Sequence, residues 1–304
     1  MTTATRGSIK SMKEILNERI YMNYPLAPMT SLKIGGQAEF FAIVHDLDEL
    51  QKIMMLADSY GMKARILGKG TNLVIQNGLL KGIIIHLGGK FREIKRNKDR
   101  IIMGGGCPLS FLLKEAIAYN LEGTEVLAGI PGTLGGAATM NAGTRLGSLG
   151  DLIEDADILR GGEIETWNVE KMGFSYRESA ISNGKILLGA RLKLNPGVNV
   201  KSSIKKTLQK RWSRQPYRER SAGCVFRNPE GMSAGKLIDE AGLKGYRIGQ
   251  IEISKKHANF FINLGEGIFD DFIRLMDIVR KRVFKEFGVE LRPEVKIWVN
   301  EDEE

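Results

Sequence analysis

The sequence predicts an α+β fold, on three observations. Short apolar runs of strand length alternate with segments whose apolar residues recur at helical spacing. Glycine-rich stretches interrupt this pattern at residues 66–75 and 127–143. A turn-rich break at Asn195-Pro196-Gly197 then separates the front of the chain from a second part that ends in a long amphipathic helix.

In chain order, residues 9–20 predict a short N-terminal helix. Residues 48–60 carry Leu50, Ile53, Met54 and Ala57 on one face, with Gly61 to end the helix. Strands are expected at 64–67, 73–75 and 83–87, which with that helix make a small α+β lobe. Residues 101–109 read as strand, glycine run and helix start, with Pro108 near the first turn. Leu112, Leu113, Ala116 and Ile117 line one side of the helix that follows, to about Tyr119. Beyond the second glycine stretch, 156–159 and 164–166 predict a hairpin around Gly161-Gly162, and 186–194 a further strand. After the break a basic helix is expected over 200–212. Phe272, Leu275, Met276, Val279, Val283 and Phe287 then recur at helical spacing before Gly288, the pattern of a core-facing helix with a glycine stop. The expected divisions are an N-terminal helical extension at 1–19, a two-lobed domain at 20–198 (lobes about 20–87 and 88–198), and a second domain at 199–304.

At 304 residues the chain is long enough for two domains, and 42% hydrophobic with 27% charged residues is the balance of a soluble protein. No apolar run reaches membrane-span length; the best, residues 83–87, is strand-sized. The N-terminal residues lack the apolar core of an export signal, and the two cysteines, Cys107 and Cys224, stand far apart without metal-ligand spacing. A reducing cytoplasm is the expectation. The net charge of +9 permits nucleic-acid binding, but the basic residues are scattered, with small clusters at Lys205-Lys206, Lys210-Arg211 and 218–220. No zinc-finger, RNP or helix-turn-helix pattern accompanies them. Polyanionic small molecules suit the same charge.

Five glycines lie between Gly129 and Gly143 with small residues and no acid among them. Glycine permits positive φ and close approach of backbone to a ligand, so amides can converge on an anion, and a helix beginning at Leu134 would favour negative charge at its start. The alternative is a tight turn with packing duties only. The spacing matches neither the Walker loop nor the dinucleotide GxGxxG. Gly68 and Gly70, followed by Thr71 and Asn72, make a second such loop, read either as an anion cradle or as a hairpin turn.

Farther along, Cys224 sits between glycine and apolar residues, as a small buried hydrophobe would. Arg177 beside Glu178 reads as a surface pair, and Glu294 as an exposed carboxylate on an edge strand. His257 precedes an apolar run and reads as a hydrogen-bonded structural residue, and the histidines show no metal spacing.

The stretches ILGKGTNLVI (66–75) and AGIPGTLGGAATMNAG (128–143), with TSLKIGGQA (30–38), resemble the flavin-binding half of the UDP-N-acetylenolpyruvoylglucosamine reductases of bacterial cell-wall synthesis. The resemblance runs from about Pro25 to Trp298. It implies a two-lobed FAD-binding domain of the vanillyl-alcohol-oxidase (PCMH) type and a C-terminal α+β substrate domain whose last strand packs back on the first. Non-covalent FAD is implied on Gly68, Lys69, Gly70, Thr71, Asn72, Gly129, Ile130, Pro131, Gly132, Gly135, Gly136, Ala142 and Gly143. NADPH is the implied hydride donor and UDP-N-acetylglucosamine enolpyruvate the acceptor. By the same resemblance Arg177 and Glu294 stabilise the enolic form of the substrate and Cys224, in place of a serine, is the proton donor. Tyr176, Arg214 and Asn228 are implied to touch the substrate. The absence of any tyrosine between Tyr176 and Tyr217 resembles the shorter subclass, which lacks a tyrosine-bearing substrate loop. A cytoplasmic monomer with no nucleic-acid partner and no membrane insertion is the expectation.

Overall fold

The computed structural model describes residues 11–16, 18–182 and 184–300. The chain forms two compact units, each assembled from separated segments. The first takes residues up to 22, 39–69 and 81–209; the second takes 23–38, 70–80 and those from 210 on.

Two hydrophobic cores lie inside the first unit. The smaller is built on the helix Leu47–Ser59, which Asp46 caps by accepting from the Glu49 amide at 3.1 Å. Its Leu50, Ile53 and Ala57 pack with Phe40, Val44, Ile83 and Ile85 from the strands Gln37–Val44 and Leu79–Leu87. The sheet order is Ile20–Pro25, Gln37–Val44, Leu79–Leu87 and Ala64–Ile66, the last two parallel. Met12 and Leu16 are fully buried in the same core, so helical residues 11–16 belong to the lobe rather than to an appendage; of the helix expected over 9–20, residues 9, 10 and 17 lie outside the described residues, and 18–20 are not helical, Glu18 turning at φ +65° and Ile20 opening the strand Ile20–Pro25.

The larger core sits on a five-stranded antiparallel sheet, in the order Glu163–Asn168, Ile153–Arg160, Ile186–Lys193, Arg100–Gly104 and Ile94–Asn97. The expected hairpin is there, turning through Gly161 at φ +57° and Gly162 at φ +86°. Leu109, Leu112 and Ala116 of the helix Leu109–Ala118 face this core with Leu134 and Ala138 of the short helix Leu134–Thr139.

In the second unit the helix Phe269–Phe287 buries Phe272, Leu275, Met276, Val279 and Val283 and stops at Gly288, whose φ is +68°. Phe272 meets Phe261 at 5.2 Å between ring centroids, and Phe261 meets Phe226 edge-on at 6.2 Å. The helix Ala234–Glu240 and the three-stranded sheet Arg247–Ile248, Ile251–Ile253 and Phe261–Asn263 complete the layer.

The contiguous boundary expected at 198/199 differs from the observed division, for a physical reason. Val200 and Ile204 of the helix Val200–Arg214 are buried with Leu192 and Leu194, which holds the start of that helix in the first unit. Leu32, Ile34 and Val74 are buried with Val225, Phe226, Ile253 and Leu291, which draws 23–38 and 70–80 into the second. Leu73–Ile75 does not form a hairpin with Ala64–Ile66. It pairs in parallel with Lys296–Trp298, so the last strand does fold back, onto a segment of its own unit. Gln76 locks that pairing: its amide donates to the Trp298 carbonyl at 2.9 Å and its Oε1 accepts from the Asn300 amide at 2.6 Å. Gln76→Leu strands the buried Asn300 amide and is expected to lower stability by about 1–3 kcal/mol, read as a shift in urea midpoint at unchanged slope.

Candidate active site

A cleft opens within the first unit. Ile66, Leu67, Leu87, Ile186 and Leu187 give it an apolar floor, and Gly68, Gly105, Gly106, Gly135 and Gly136 give it walls of bare backbone. The closeness of those walls excludes side chains. A Cβ on Gly105 would stand 2.0 Å from the Leu187 carbonyl oxygen, one on Gly106 2.3 Å from that of Leu87, and one on Gly68 2.7 Å from Thr133 Oγ1. The run Gly104–Cys107 and the start of the helix Leu134–Thr139 are bonded to each other: the Gly135 amide donates to the Gly105 carbonyl at 2.8 Å and the Leu134 amide to that of Cys107 at 2.9 Å. The Gly136 amide donates to Thr133 Oγ1 at 3.4 Å. The anion-favouring helix start expected there is therefore corrected: its first three amides are taken up inside the unit, and these glycines serve close approach of backbone instead.

Four cleft residues lie outside the expected site set: Gly105, Gly106, His86 and Lys185. Nδ1 of His86 donates to the Leu67 carbonyl at 2.9 Å, and Nζ of Lys185 donates to that of Ala180 at 2.8 Å. Only the glycine run offered a signal, as a strand that ended in three glycines before a helix. Cys107 beside it is fully buried, and burial pushes its thiol up to about 11 against the pull of Arg92 and Lys69, so it stays a protonated apolar filler.

Of the residues expected to hold FAD, Gly68, Gly135 and Gly136 line this cleft. Lys69, Gly129, Ile130, Pro131, Gly132, Ala142 and Gly143 belong to the same unit without lining it, and Gly70, Thr71 and Asn72 belong to the second unit. Arg177 is placed by this glycine loop. Its backbone is left-handed at φ +59°, and its Nη2 donates to the Gly143 carbonyl at 2.9 Å. Asn141 Nδ2 donates to the Ser175 carbonyl at 3.0 Å and Ser179 Oγ to that of Thr139 at 2.9 Å, stitching the Arg177 loop to the residues after the short helix. The guanidinium is half-buried and 5.2 Å from the ring centroid of the exposed Tyr176.

The backbone segments that carry Cys224 and Glu294, 70 positions apart, are brought together in the second unit. The Val225 carbonyl accepts from the Glu294 amide at 2.7 Å, and the Arg227 amide donates to the Arg292 carbonyl at 2.9 Å. On its other side the Cys224 segment bridges Phe260, and the Val225 amide donates to the Asn259 carbonyl at 2.8 Å. Both Cys224 and Glu294 are half-buried. The Asn72 side chain donates to the Glu294 carbonyl at 3.0 Å, so it ties the 70–72 loop to the segment before the strand Lys296–Trp298; Glu294 lies off that strand and half-buried, not exposed on an edge strand as expected. Ser31 Oγ donates to the carbonyl of Ser221 at 2.7 Å, its amide to that of Gly70 at 3.0 Å. Asn228 is exposed, and its Oδ1 accepts from the Ala234 amide at 3.0 Å, which gives it a role in starting the helix Ala234–Glu240. Arg214 is an exposed side chain at the end of its helix.

Residues 38–165 match the FAD binding domain family, and residues 215–298 match the family described as UDP-N-acetylenolpyruvoylglucosamine reductase, C-terminal domain. These matches and the bare-backbone cleft define an FAD-dependent oxidoreductase of the PCMH type with a C-terminal α+β domain. The chain is 37% identical over 284 residues to UDP-N-acetylenolpyruvoylglucosamine reductase 2 of Symbiobacterium thermophilum, covering 92% of each protein. It is 38% identical over 294 residues to the UDP-N-acetylenolpyruvoylglucosamine reductase of Caldanaerobacter subterraneus, covering 95% of this chain and 97% of the relative. Among solved structures it is similar to the UDP-N-acetylenolpyruvylglucosamine reductase of Thermus caldophilus, at a TM-score of 0.79 and 34% identity over 92% of this chain and 98% of that one. The chain belongs to the UDP-N-acetylenolpyruvoylglucosamine reductase family.

The cleft fits FAD in the character of its lining: an apolar floor, bare backbone, and a few polar side chains, His86, Thr133, Thr139 and Lys185. Gly105→Ala forces the Leu187 carbonyl outward, so the variant is expected to purify with less FAD per chain and to lose about 1–3 kcal/mol of stability, measured by visible absorbance and thermal unfolding.

His257 behaves as its sequence setting suggests. Its Nδ1 accepts from the Asn259 amide at 3.3 Å, its ring meets Phe260 at 4.9 Å, and burial, aided by Lys244, holds its pKa below the ordinary value. The folded state therefore resists a proton that the unfolded state accepts near pH ~6.5. The stability this neutral ring allows is whole above that pH and drains as pH falls toward the lowered folded value. His257→Asn, which keeps an acceptor near the Nδ1 position, is expected to flatten this acid-side slope in denaturation midpoints recorded between about pH 7 and 5.

Proposed function

We propose that this protein reduces UDP-N-acetylglucosamine enolpyruvate to UDP-N-acetylmuramate in the cytoplasm, with NADPH as hydride donor, as a step in making peptidoglycan precursor. The observation that carries this reading is the hydrogen-bonded backbone seam between the segment that follows Cys224 and the segment that carries Glu294. Non-covalent FAD, held beside Gly68, Gly135 and Gly136, would supply the two-electron chemistry that links NADPH to C3 of the enolpyruvyl group.

The chain's own residues handle charge and protons. An enol ether resists hydride at C3 unless the electron pair of its double bond can move toward C2 and the carboxylate. The Arg177 guanidinium, always charged and able to bond two oxygens, stabilises that carboxylate as it becomes enolic, with Glu294 completing the polar set. Cys224 gives its thiol proton to C2, which restores the carboxylate and leaves a thiolate for solvent to reprotonate. A thiol, with a reference pKa near ~8.5, is a far stronger acid than an alkyl hydroxyl, so cysteine can stand where serine serves in other members. Tyr176, Arg214 and Asn228 are proposed to contact the nucleotide sugar, Asn228 as a secondary contact because its Oδ1 already holds a helix start.

The test is spectroscopic. Yellow protein bleached by NADPH without oxygen and recoloured by the enolpyruvyl sugar supports cofactor, donor and acceptor together. Bleaching without recolouring would send the search to other acceptors, and a colourless chain that cannot be loaded with FAD would sink the reading. Cys224→Ala is expected to be bleached normally and to recolour about 10²–10⁴-fold more slowly, whereas Cys224→Ser keeps measurable turnover. Normal turnover by Cys224→Ala overturns the acid assignment.

A further inference from the structure

We infer that Asn259 is the positioning residue that sets the Cys224 proton donor in register with Glu294. The inference rests on the reading of Cys224 as the acid.

The segment from Cys224 to Arg227 lies outside any regular sheet. A segment of this kind has no ladder to fix where each side chain points. Asn259 supplies the missing ladder with its side chain. Oδ1 accepts from the Phe226 amide at 2.9 Å and Nδ2 donates to the Phe226 carbonyl at 2.7 Å, so one amide group closes both polar groups of a single residue. A neighbouring strand residue would do the same with its own amide and carbonyl. The Asn259 backbone carbonyl, meanwhile, accepts from the Val225 amide at 2.8 Å. Asn259 thus holds the two residues that follow Cys224, from one side. The opposite side of the same two residues is bonded to the segment that carries Glu294: Val225 carbonyl to Glu294 amide at 2.7 Å, with Phe226 bridging Pro293. Cys224 itself bridges Phe260, the next residue after Asn259.

Asn259 is 2% exposed, so water cannot replace either bond. Its shape complementarity is also specific. Aspartate offers two acceptors when ionised and fits the Phe226 amide but repels the Phe226 carbonyl; when protonated it can donate as asparagine does. Asn259 touches no reacting atom, and its effect on chemistry passes through the placement of Cys224.

The experiment uses the FAD-loaded full chain and the variants Asn259→Asp and Asn259→Ala. Three readouts are taken: flavin bleaching by NADPH, recolouring by the enolpyruvyl sugar, and alkylation of Cys224 by iodoacetamide in the absence of substrate. Cys107 is fully buried, so the labelling rate reports Cys224 alone. Bleaching is expected to stay within about twofold of the parent for both variants, while recolouring by Asn259→Ala falls about 10²-fold, the loss expected for a reacting group displaced by ~1 Å. Alkylation of Cys224 in Asn259→Ala should rise about tenfold or more as the segment opens locally. Asn259→Asp should recolour near the parent rate in acid and lose rate as pH rises. The titratable neighbours on the facing segments are Cys224, His257 and Glu294, so the parent's own pH profile is recorded alongside and divided out. In the double variant with Cys224→Ala, Asn259→Asp should add no further loss, because both changes act at one step.

If Asn259→Ala does not fold, Asn259→Asp in acid and base carries the test within a single folded protein. Recolouring by a folded Asn259 variant within threefold of the parent across the pH range overturns the inference, as does a full additional loss in the double variant. An active Cys224→Ala marks failure of the acid assignment instead; the labelling rate then still decides, and an unchanged rate in Asn259→Ala overturns the positioning role.

Discussion

The first unit depends on backbone lying against backbone with nothing between. Gly105 sits where any Cβ would strike the Leu187 carbonyl, and its own carbonyl accepts from Gly135, so two glycine runs far apart in sequence become one wall. That wall cannot be built from side chains, because a methyl group at Gly105 or Gly106 would separate the layers it joins. The same closeness leaves a cleft of bare peptide over an apolar floor. It also fixes the loop after the short helix, from which the Gly143 carbonyl steadies Arg177. Arg177 holds a left-handed backbone, an uncommon state for a non-glycine residue. The loop that carries it is held at Ser175 and Ser179 by the Asn141 side chain and the Thr139 carbonyl.

The second unit solves a different problem, that of fixing the Cys224 segment, a stretch too irregular to be a strand. Its answer is lateral. Asn259, whose own amide donates to His257, grips from one flank, the Arg292–Val295 backbone from the other, and the aromatic column Phe226, Phe261 and Phe272 anchors the stretch into the core. Polar groups do the aligning and apolar groups supply the burial.

Elements with a strong period were legible in the sequence. The helix Phe269–Phe287, the helix Leu47–Ser59 and the hairpin at Gly161-Gly162 lie where apolar spacing and glycine put them, because each buries one face of a locally determined shape. Cys224, Arg177 and Glu294 were nominated by resemblance; their surroundings alone described a small hydrophobe and two surface charges. Asn259 gave no signal, since an asparagine among Ala258, Phe260 and Phe261 carries no spacing that distinguishes a structural amide from a turn. The wall at Gly105 was half legible: the glycines announced close approach, but to which partner is decided by tertiary packing. The contiguous division of the chain failed for a related reason. Leu32, Ile34 and Val74 look like any apolar residues of a front domain, and only the structure shows that their burial partners lie past residue 220.

That interleaving has a consequence for synthesis. The strand Leu73–Ile75 finds its partner in Lys296–Trp298, and Gln76 waits for Asn300, 224 positions later. At about 5–20 residues per second, a ribosome leaves that edge unpaired for roughly 10–45 s. The second unit therefore closes only after residue 300 has emerged, whereas the five-stranded sheet of the first unit is complete once residue 193 is out. Translation imposes an order of assembly in which the wall of the cleft can form well before the seam that holds Cys224.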